Sequence, residues 1–252
     1  MELTYFSDSF IGDREQNEDC QLFYPLPFQQ PIAVFAVADG MGGLSAGADC
    51  ARRTAAAFCG ELLCILYPEA LHQPDQIFYA EELERGAHQA IRQTAERIYR
   101  ENCGRFYTTG STLTVAILSE DALTIAALGD SPAYLAREGK AALLAPLHNL
   151  AFIQGIAPDA PGYEQAACCL TQCVGTRPAE SLKPVVCTYP LSAMRGGRLL
   201  LGSDGAFGGL TAERIAQIVQ AQPKPQDIIP AMFAQARASG ATDNQTLTVV
   251  CL

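Results

Sequence analysis

The chain has 252 residues, of which 49% are hydrophobic and 17% are charged, and its formal net charge is −10. This composition predicts a folded protein with a substantial core, in one large domain or two small ones. The acidic balance argues against nucleic acid as the main partner, because phosphate backbones attract basic surfaces. No apolar run has the length of a membrane span, and residues Met1 to Thr4 show no secretory signal.

Ten cysteines are scattered along the chain without a Cys-x-x-Cys pair, and only three histidines accompany them. A zinc site is therefore disfavoured, and unpaired cysteines are typical of a protein kept in a reducing cytoplasm. Cys64, Cys187 and Cys251 lie in apolar runs, where cysteine behaves as a small core residue. A redox-active group remains a less favoured alternative for the cluster Cys168, Cys169 and Cys173.

The N-terminal part alternates between apolar segments and polar or proline-rich turns, and then becomes helical. Two later segments carry apolar residues at three- and four-residue spacing, which indicates amphipathic helices. The first of them is expected to stop at Pro68, because proline interrupts a helix. The predicted elements are strands at 3–11, 20–24 and 32–38, a polar loop at 12–19, and helices at 44–67 and 76–102.

From residue 112 the pattern changes to short apolar strands joined by short turns, which predicts antiparallel pairing. Proline and glycine interrupt residues 147–176, and we expect a short, loop-rich flap there. Thr211 is the expected N-cap of a helix, and Pro230 is expected to kink the next one. The predicted elements are strands at 112–118, 122–128, 133–137, 140–144, 184–190, 198–202 and 246–252, and helices at 211–221 and 226–238.

The order of these elements predicts a single α+β domain over residues 1–252. Antiparallel sheet occupies its middle and helices lie outside. The sequence contains no internal repeat, low-complexity segment or interdomain linker that would divide it.

Aspartates recur at the ends of the predicted core strands. Asp39 follows the apolar run Ile32–Ala38, and Gly40 after it lets the backbone bend sharply and approach a ligand. An ordinary Asp-Gly turn explains this stretch alone equally well. Asp204 likewise follows an apolar strand and precedes a glycine, Asp130 ends a third strand, and Asp243 stands just before the last apolar strand. Such strand ends can converge on one edge of a sheet assembly.

An all-oxygen carboxylate cluster favours hard divalent cations, Mg²⁺ or Mn²⁺, over zinc. Two such ions roughly 3.5–4 Å apart activate a water and stabilise in-line displacement at phosphorus. Arg14, in the polar loop, carries a planar fork that suits phosphate oxygens. The alternative for Arg14 alone is a solvated surface arginine.

Six short motifs carry a resemblance that covers nearly the whole chain. They are Gly12-x-Arg14-x-x-Asn17-Glu18-Asp19, Asp39-Gly40-Met41-Gly42-Gly43, Gly110-Ser111-Thr112, Gly129-Asp130-Ser131, Ser203-Asp204-Gly205 and Asp243-Asn244-x-Thr246. In this order they resemble the metal-dependent protein serine/threonine phosphatases of type 2C, in their bacterial form. The resemblance implies a four-layer α/β/β/α sandwich with two central antiparallel sheets.

The resemblance also implies roles for individual residues. Asp39 would bridge two Mn²⁺ or Mg²⁺ ions, the Gly40 carbonyl would bind one of them, and Asp204 and Asp243 would bind the other. Arg14 would bind the substrate phosphate. Two metal ions would activate a water to hydrolyse phosphoserine and phosphothreonine monoesters.

Further residues are implied around these ligands. Asp130, together with Asp204, would hold a third ion. Glu18 and Asp19 would hold metal ions through water, and Asn244 would lie behind the ligands.

Several departures from the family pattern leave this two-metal ligand set intact. Pro132 stands where the family usually has arginine, and Leu147-His148-Asn149 replaces an Asp-His-Ser loop. The segment after Asp204-Gly205 lacks a further aspartate that the family often carries. These differences concern substrate choice and the third ion.

The expected partners are phosphorylated proteins, as substrates supplied by a serine/threonine kinase, and the expected state is a cytoplasmic monomer without membrane association. Two alternatives belong to other classes of function. One is a phosphatase-fold protein that has lost catalysis and serves as a binding module. The other is a narrow regulatory phosphatase that acts on one partner protein.

Overall fold

The computed structural model describes residues 3–42, 46–72, 76–104 and 109–252. Within these ranges the chain forms eleven β-strands and seven α-helices. The strands are β1 (Thr4–Phe10), β2 (Asp19–Pro25), β3 (Ala33–Met41), β4 (Gly110–Ser111), β5 (Leu113–Leu118), β6 (Ala122–Leu128), β7 (Ala133–Arg137), β8 (Lys140–Leu143), β9 (Val185–Pro190), β10 (Arg198–Gly202) and β11 (Gln245–Cys251). The helices are α1 (Ala46–His72), α2 (Ala80–Asn102), α3 (Leu150–Gln154), α4 (Tyr163–Ala167), α5 (Asp204–Phe207), α6 (Ala212–Ala221) and α7 (Ile228–Ala238).

The strands form two sheets in which every named pair is antiparallel. The first sheet has the order β1-β11-β10-β7-β8, and the second has the order β2-β3-β5-β6-β9, with β4 added to the end of β3. The sheets pack face to face, α1 and α2 cover the second sheet, and α5, α6 and α7 cover the first. The predicted four-layer α/β/β/α sandwich is confirmed.

The central strands read as continuous apolar runs because both of their faces are covered. In β3, Val34 and Ala36 point toward α1 and α2, whereas Phe35 and Val37 point into the space between the sheets. The alternation follows from the two-residue period of a strand. A strand buried in this way is held from both sides, so a polar side chain at its end is held firmly in place.

The strand that carries Asp39 is longer than predicted. We expected it to end at Ala38, but β3 continues to Met41 because Gly40 and Met41 pair with Ser111 and Gly110 of β4. Gly43 and Leu44, which belong to the predicted glycine-rich turn and helix start, lie outside the described residues.

Two helix boundaries in the N-terminal half differ from the prediction. The stop expected at Pro68 is wrong, because α1 continues to His72. Proline cannot bond to the carbonyl four residues back, that of Cys64, and this residue is exposed, so water can reach its carbonyl. Helix α2 begins at Ala80 rather than Gln76 because the Gln30 side chain bonds the backbone of Phe78 on both its N–H and its carbonyl.

In the C-terminal half, Thr211 caps α6 as predicted, since its hydroxyl accepts a hydrogen bond from the Arg214 N–H. Helix α7 begins at Ile228, two residues later than predicted. Pro230 is therefore its third residue, a position where no helical hydrogen bond is lost, and the expected cause of a kink is removed.

Cysteine placement is partly as predicted. All ten thiols are free. Cys64 faces solvent, so its predicted core position is wrong, and Cys187 and Cys251 are half-buried. Residues 147–176 contain only the five-residue helices α3 and α4 among irregular segments, as the prolines and glycines predicted. None of the helices in the described ranges is long and apolar enough to cross a membrane.

Candidate active site

Acidic residues from both sheets meet at one end of the sandwich. Asp39, near the end of β3, lies directly opposite Asp19 at the start of β2. Asp204 follows β10 and Asp243 precedes β11, and these two strands are antiparallel neighbours, so the residues lie at the same edge. Asp130 follows β6, and its charge acts on both Asp39 and Asp204. The four strand-end aspartates therefore come together as predicted.

Asp39 and Asp204 are in contact within this cluster. Burial, together with the charges of Asp204 and then Asp19, raises the pKa of Asp39 well above its ordinary value. Burial and the charge of Asp243 also raise the pKa of Asp204, and a side-chain hydrogen bond to Asp39 offsets part of that rise. Two buried carboxylates in contact favour sharing a proton, since their charges repel.

Asp19 and Asp130 are perturbed in the same direction. Burial raises the pKa of Asp19 to about 6, although hydrogen bonds from Thr246 and Ser203 favour its charged form. Burial and the charge of Asp204 raise the pKa of Asp130 to about 7. Ionising these carboxyls together therefore costs free energy that the protein alone does not offset.

Several carboxylate oxygens at this edge are buried without a hydrogen-bond partner. They are Glu18 Oε1, Asp19 Oδ1 and Asp204 Oδ1. An unpaired buried charge is costly, and hard divalent cations favour oxygen ligands of this kind, so the residues fit a metal centre. No three acidic, histidine or cysteine side chains in the described ranges are yet arranged around one metal position. A bound cation would stabilise the ionised carboxylates, so metal binding and proton release are linked at this edge.

Arg14 reaches the same edge from the loop between β1 and β2. Its Nη2 donates to Asp243 Oδ2 at 2.7 Å, and the two side chains are 57% and 40% exposed. The arginine thus approaches the open side of the cluster. Its guanidinium group is paired with Asp243, which the resemblance assigns as a ligand of a metal ion.

Asn244 holds the loop that carries Arg14 and Glu18. Its Oδ1 accepts from the Glu18 N–H at 2.8 Å, and its Nδ2 donates to the carbonyls of Ile11 and Gln16 at 2.7 and 3.0 Å. The side chain is buried and turned toward the backbone of this loop. It lies behind the carboxylates, and its role in supporting metal ligands stays a prediction.

Gly40 lies where no side chain can be accommodated. A Cβ built there would lie 2.2 Å from the Gly47 carbonyl oxygen, so the start of α1 packs directly on this backbone. The Gly40 N–H donates to the Glu18 carbonyl at 3.2 Å. This close approach explains the need for glycine, whereas metal binding by its carbonyl stays a prediction.

The structure adds residues whose contribution the sequence did not reveal. Ser203 donates to Asp19 Oδ2 at 2.7 Å, and Asn149 donates to Asp130 Oδ2 at 3.3 Å while it caps α3. His148 Nδ1 accepts from the Gly129 N–H at 3.0 Å, and burial lowers its pKa, so it acts as a neutral acceptor behind Asp130. For Ser203 the available signal was its position beside Asp204, whereas Asn149 lies in the segment expected to be a flap and carried no such signal.

Comparison with known proteins agrees with this geometry. The family model described as "Protein phosphatase 2C" matches residues 4–152. The serine/threonine phosphatase stp of Listeria innocua is 26% identical over 243 residues, which cover 94% of this chain and 90% of that protein. The solved serine/threonine phosphatase of S. agalactiae has a TM-score of 0.80 at 22% identity, with 100% of both chains covered. The catalytic domain of PstP, solved with two manganese ions, has a TM-score of 0.71 at 23% identity and covers 99% of this chain and 97% of that one.

The family model covers more than half of the chain and the curated relative covers nearly all of it, and together they define a metal-dependent phosphoprotein phosphatase. The chain belongs to the protein phosphatase 2C family, and it is a protein serine/threonine phosphatase.

The perturbed carboxylates predict how the stability of the metal-free protein depends on pH. The folded pKa values of Asp19 and Asp130, about 6 and about 7, exceed the ordinary value of 3.8, so the fold binds more protons than the unfolded chain. This contribution is complete below 3.8 and is lost as pH rises through 6 to 7. We expect the Tm in chelator to fall by at least about 4 °C between pH 5.5 and 8, since about 1 kcal/mol moves Tm by about 2–4 °C in a chain of this size.

Thermal melts across this range provide the measurement. Asp130→Asn is the control, because it removes the group that titrates near 7 and should flatten the upper part of the curve. A Tm that stays constant or rises with pH would contradict the assigned shifts.

Proposed function

We propose that this phosphatase hydrolyses phosphoserine and phosphothreonine monoesters in proteins with two divalent cations, Mn²⁺ or Mg²⁺, and a third beside Asp130. When bound, such ions activate a water and neutralise charge at phosphorus. The observation that carries the proposal is the set of buried, unpartnered carboxylate oxygens at one edge of the sandwich. The manganese ions of PstP, a protein with the same fold, support the choice of metal.

In this proposal Asp39 would bridge the two main ions, because it feels the charges of Asp204, Asp19, Asp243 and Asp130. The Gly40 carbonyl completes one ion's ligands, whereas Asp204 and Asp243 bind the other. The carboxylates of Asp39, Asp204 and Asp243 would supply the negative charge that binds both dications.

The remaining acidic residues surround this pair. Asp130 and Asp204 hold the third ion, and Glu18 and Asp19 hold ions through water. Asn244 fixes the backbone from which Glu18 projects, through the 2.8 Å bond to its N–H.

Arg14 is proposed to bind the substrate phosphate. Its side chain is 57% exposed at the open side of the cluster, and its planar fork carries five donors that match phosphate oxygens. A phosphoprotein can reach it from solvent without any rearrangement of the core.

The flap at 147–176 is proposed to select substrates. Phe152 and Ile153 on α3 are 43% and 62% exposed, and the N-cap of this short helix, Asn149, contacts Asp130. Apolar side chains exposed within one helical turn of the centre suit the residues that flank a phosphorylated side chain.

The remaining expectations concern partners and location. We propose phosphoproteins made by a serine/threonine kinase as substrates, a monomeric state, and a cytoplasmic location, which ten free thiols favour.

An inactive binding module is less well supported, because the proposed ligand residues are present. A narrow regulatory phosphatase differs only in substrate range. Hydrolysis of p-nitrophenyl phosphate with and without Mn²⁺ separates the inactive module from the enzyme.

The first test changes the bridging ligand. Asp39→Asn should keep the fold, since it removes a repelled buried charge, but it leaves too little charge for two dications. We expect kcat to fall by more than about 100-fold, beyond the 10–100-fold typical of residues that only support metal ligands. Mn²⁺-dependent turnover and circular dichroism give the measurement. A folded variant with near-normal turnover would show that the metal centre lies elsewhere.

A second test concerns phosphate binding by Arg14. Arg14→Ala should raise KM for p-nitrophenyl phosphate by about tenfold and change kcat less, if the contact is equal in ground and transition states. Arg14→Lys keeps the charge without the fork, and its KM should lie between those of Arg14→Ala and the unmodified protein. An unchanged KM in Arg14→Ala would count against the role.

A third test concerns the flap. Phe152→Ser with Ile153→Ser should lower kcat/KM for phosphopeptides with apolar flanking residues several-fold more than for p-nitrophenyl phosphate. Ile77→Ser is the matched control, since Ile77 is 48% exposed just before α2. Equal losses on all substrates would indicate a structural role for these residues.

A further inference from the structure

Thr112 lies between β4 and β5 and is almost fully buried. It holds the backbone of Asp39 on both sides. The Asp39 N–H donates to Thr112 Oγ1 at 2.9 Å, and the Thr112 N–H donates to the Asp39 carbonyl at 2.8 Å. Thr112 lies opposite Asp39, because the pairings of Val37 with Thr114 and of Gly40 with Ser111 continue through these two residues. The side-chain bond is therefore added to the backbone bond of the sheet.

The same side chain also contacts the segment that carries Asp130. Thr112 Oγ1 lies 2.6 Å from Ser131 Oγ, and either hydroxyl can donate. A Cβ at Gly129, whose φ is +122°, would lie 2.6 Å from Thr112 Cβ, so this glycine leaves room for the threonine. Thr114 Oγ1 donates to the Ser131 carbonyl at 2.6 Å and holds the segment from its other end.

These contacts join two strands that are not neighbours in the sheet. Asp39 belongs to β3 and Asp130 follows β6, and β5 lies between those two strands and pairs with both. The backbone ladders set the spacing of the strands, and the side-chain bonds of Thr112 add a direct link between the segments that carry the two aspartates. One hydroxyl joins the segments that carry them.

We propose that Thr112 is a positioning residue that sets the spacing of Asp39 and Asp130 and thereby the affinity of the site for divalent cations. This inference rests on the proposed function, in which both aspartates are metal ligands. Hydrogen bonds to ligand-bearing groups orient the ligands, and their loss typically lowers metal affinity by about 10–100-fold.

The test compares three variants by calorimetric titration with Mn²⁺ and by kcat and KM for p-nitrophenyl phosphate. Thr112→Val keeps the shape but loses the hydroxyl, and it should weaken Mn²⁺ binding by at least about tenfold and lower kcat with little change in KM. Thr112→Ser restores the hydroxyl and should bind Mn²⁺ within about threefold of the unmodified protein. Thr94→Val is the matched control, since the buried Thr94 hydroxyl on α2 has no hydrogen-bond partner, and it should match the unmodified protein.

Equal Mn²⁺ affinity in Thr112→Val and the unmodified protein would overturn the proposal, as would a Thr112→Ser variant as weak as Thr112→Val. If Thr112→Val does not fold, Ser131→Ala decides. Ser131→Ala keeps the Thr112 hydroxyl as the acceptor for the Asp39 N–H and removes its bond to Ser131. The Mn²⁺ affinity of this variant should therefore fall several-fold. Unchanged affinity would overturn the proposed link between the two segments. If the unmodified protein neither binds Mn²⁺ nor hydrolyses p-nitrophenyl phosphate, the result would instead contradict the proposed function itself.

Discussion

Repulsion among carboxylates shielded from water is the constraint on which the rest of this molecule depends. Burial raises the pKa of both Asp39 and Asp204, and the charges of their neighbours add to the cost of ionising them. Folding must supply enough apolar burial to hold these groups together, because the unfolded chain would separate them. The three cores of the sandwich provide that burial on both faces of each sheet.

The two stacked sheets explain why the charges meet at one end. Strands buried on both faces tolerate little displacement, so residues at their ends inherit a fixed position. The carboxylates of the acidic edge therefore lie in or next to the ends of strands, whereas Arg14 and the flap, which face solvent, come from loops. In the proposed function this division would place chemistry on the rigid part and recognition on the adaptable part.

Much of this arrangement was readable from the sequence, and the limits have physical reasons. Apolar runs that end in aspartate located Asp39, Asp130, Asp204 and Asp243, because burial and charge are both visible in residue types. The extension of β3 to Met41 was hidden, since its partner β4 lies about seventy residues away in the chain and short pairings of this kind leave no local pattern.

Long-range contacts explain the other differences. Gln30 delays the start of α2 through Phe78, and neither residue has a helix-breaking type. Ser203 and Thr112 look like ordinary small polar residues until the fold brings them to Asp19 and Asp39. The roles of the site residues in binding metal remain predictions from motif and geometry together.

The pairing of Arg14 with Asp243 has a consequence for the order of events. One carboxylate oxygen serves the guanidinium at 2.7 Å, and the same carboxylate is the proposed ligand of a cation. The guanidinium and the cation would therefore compete for this carboxylate. Binding of either one to Asp243 would lower the affinity of the other by the same factor. In the proposed function, a cation that binds Asp243 would release the guanidinium, which would then be free to bind a phosphate. The pairing in the structure would thus favour binding of the metal before the phosphoprotein.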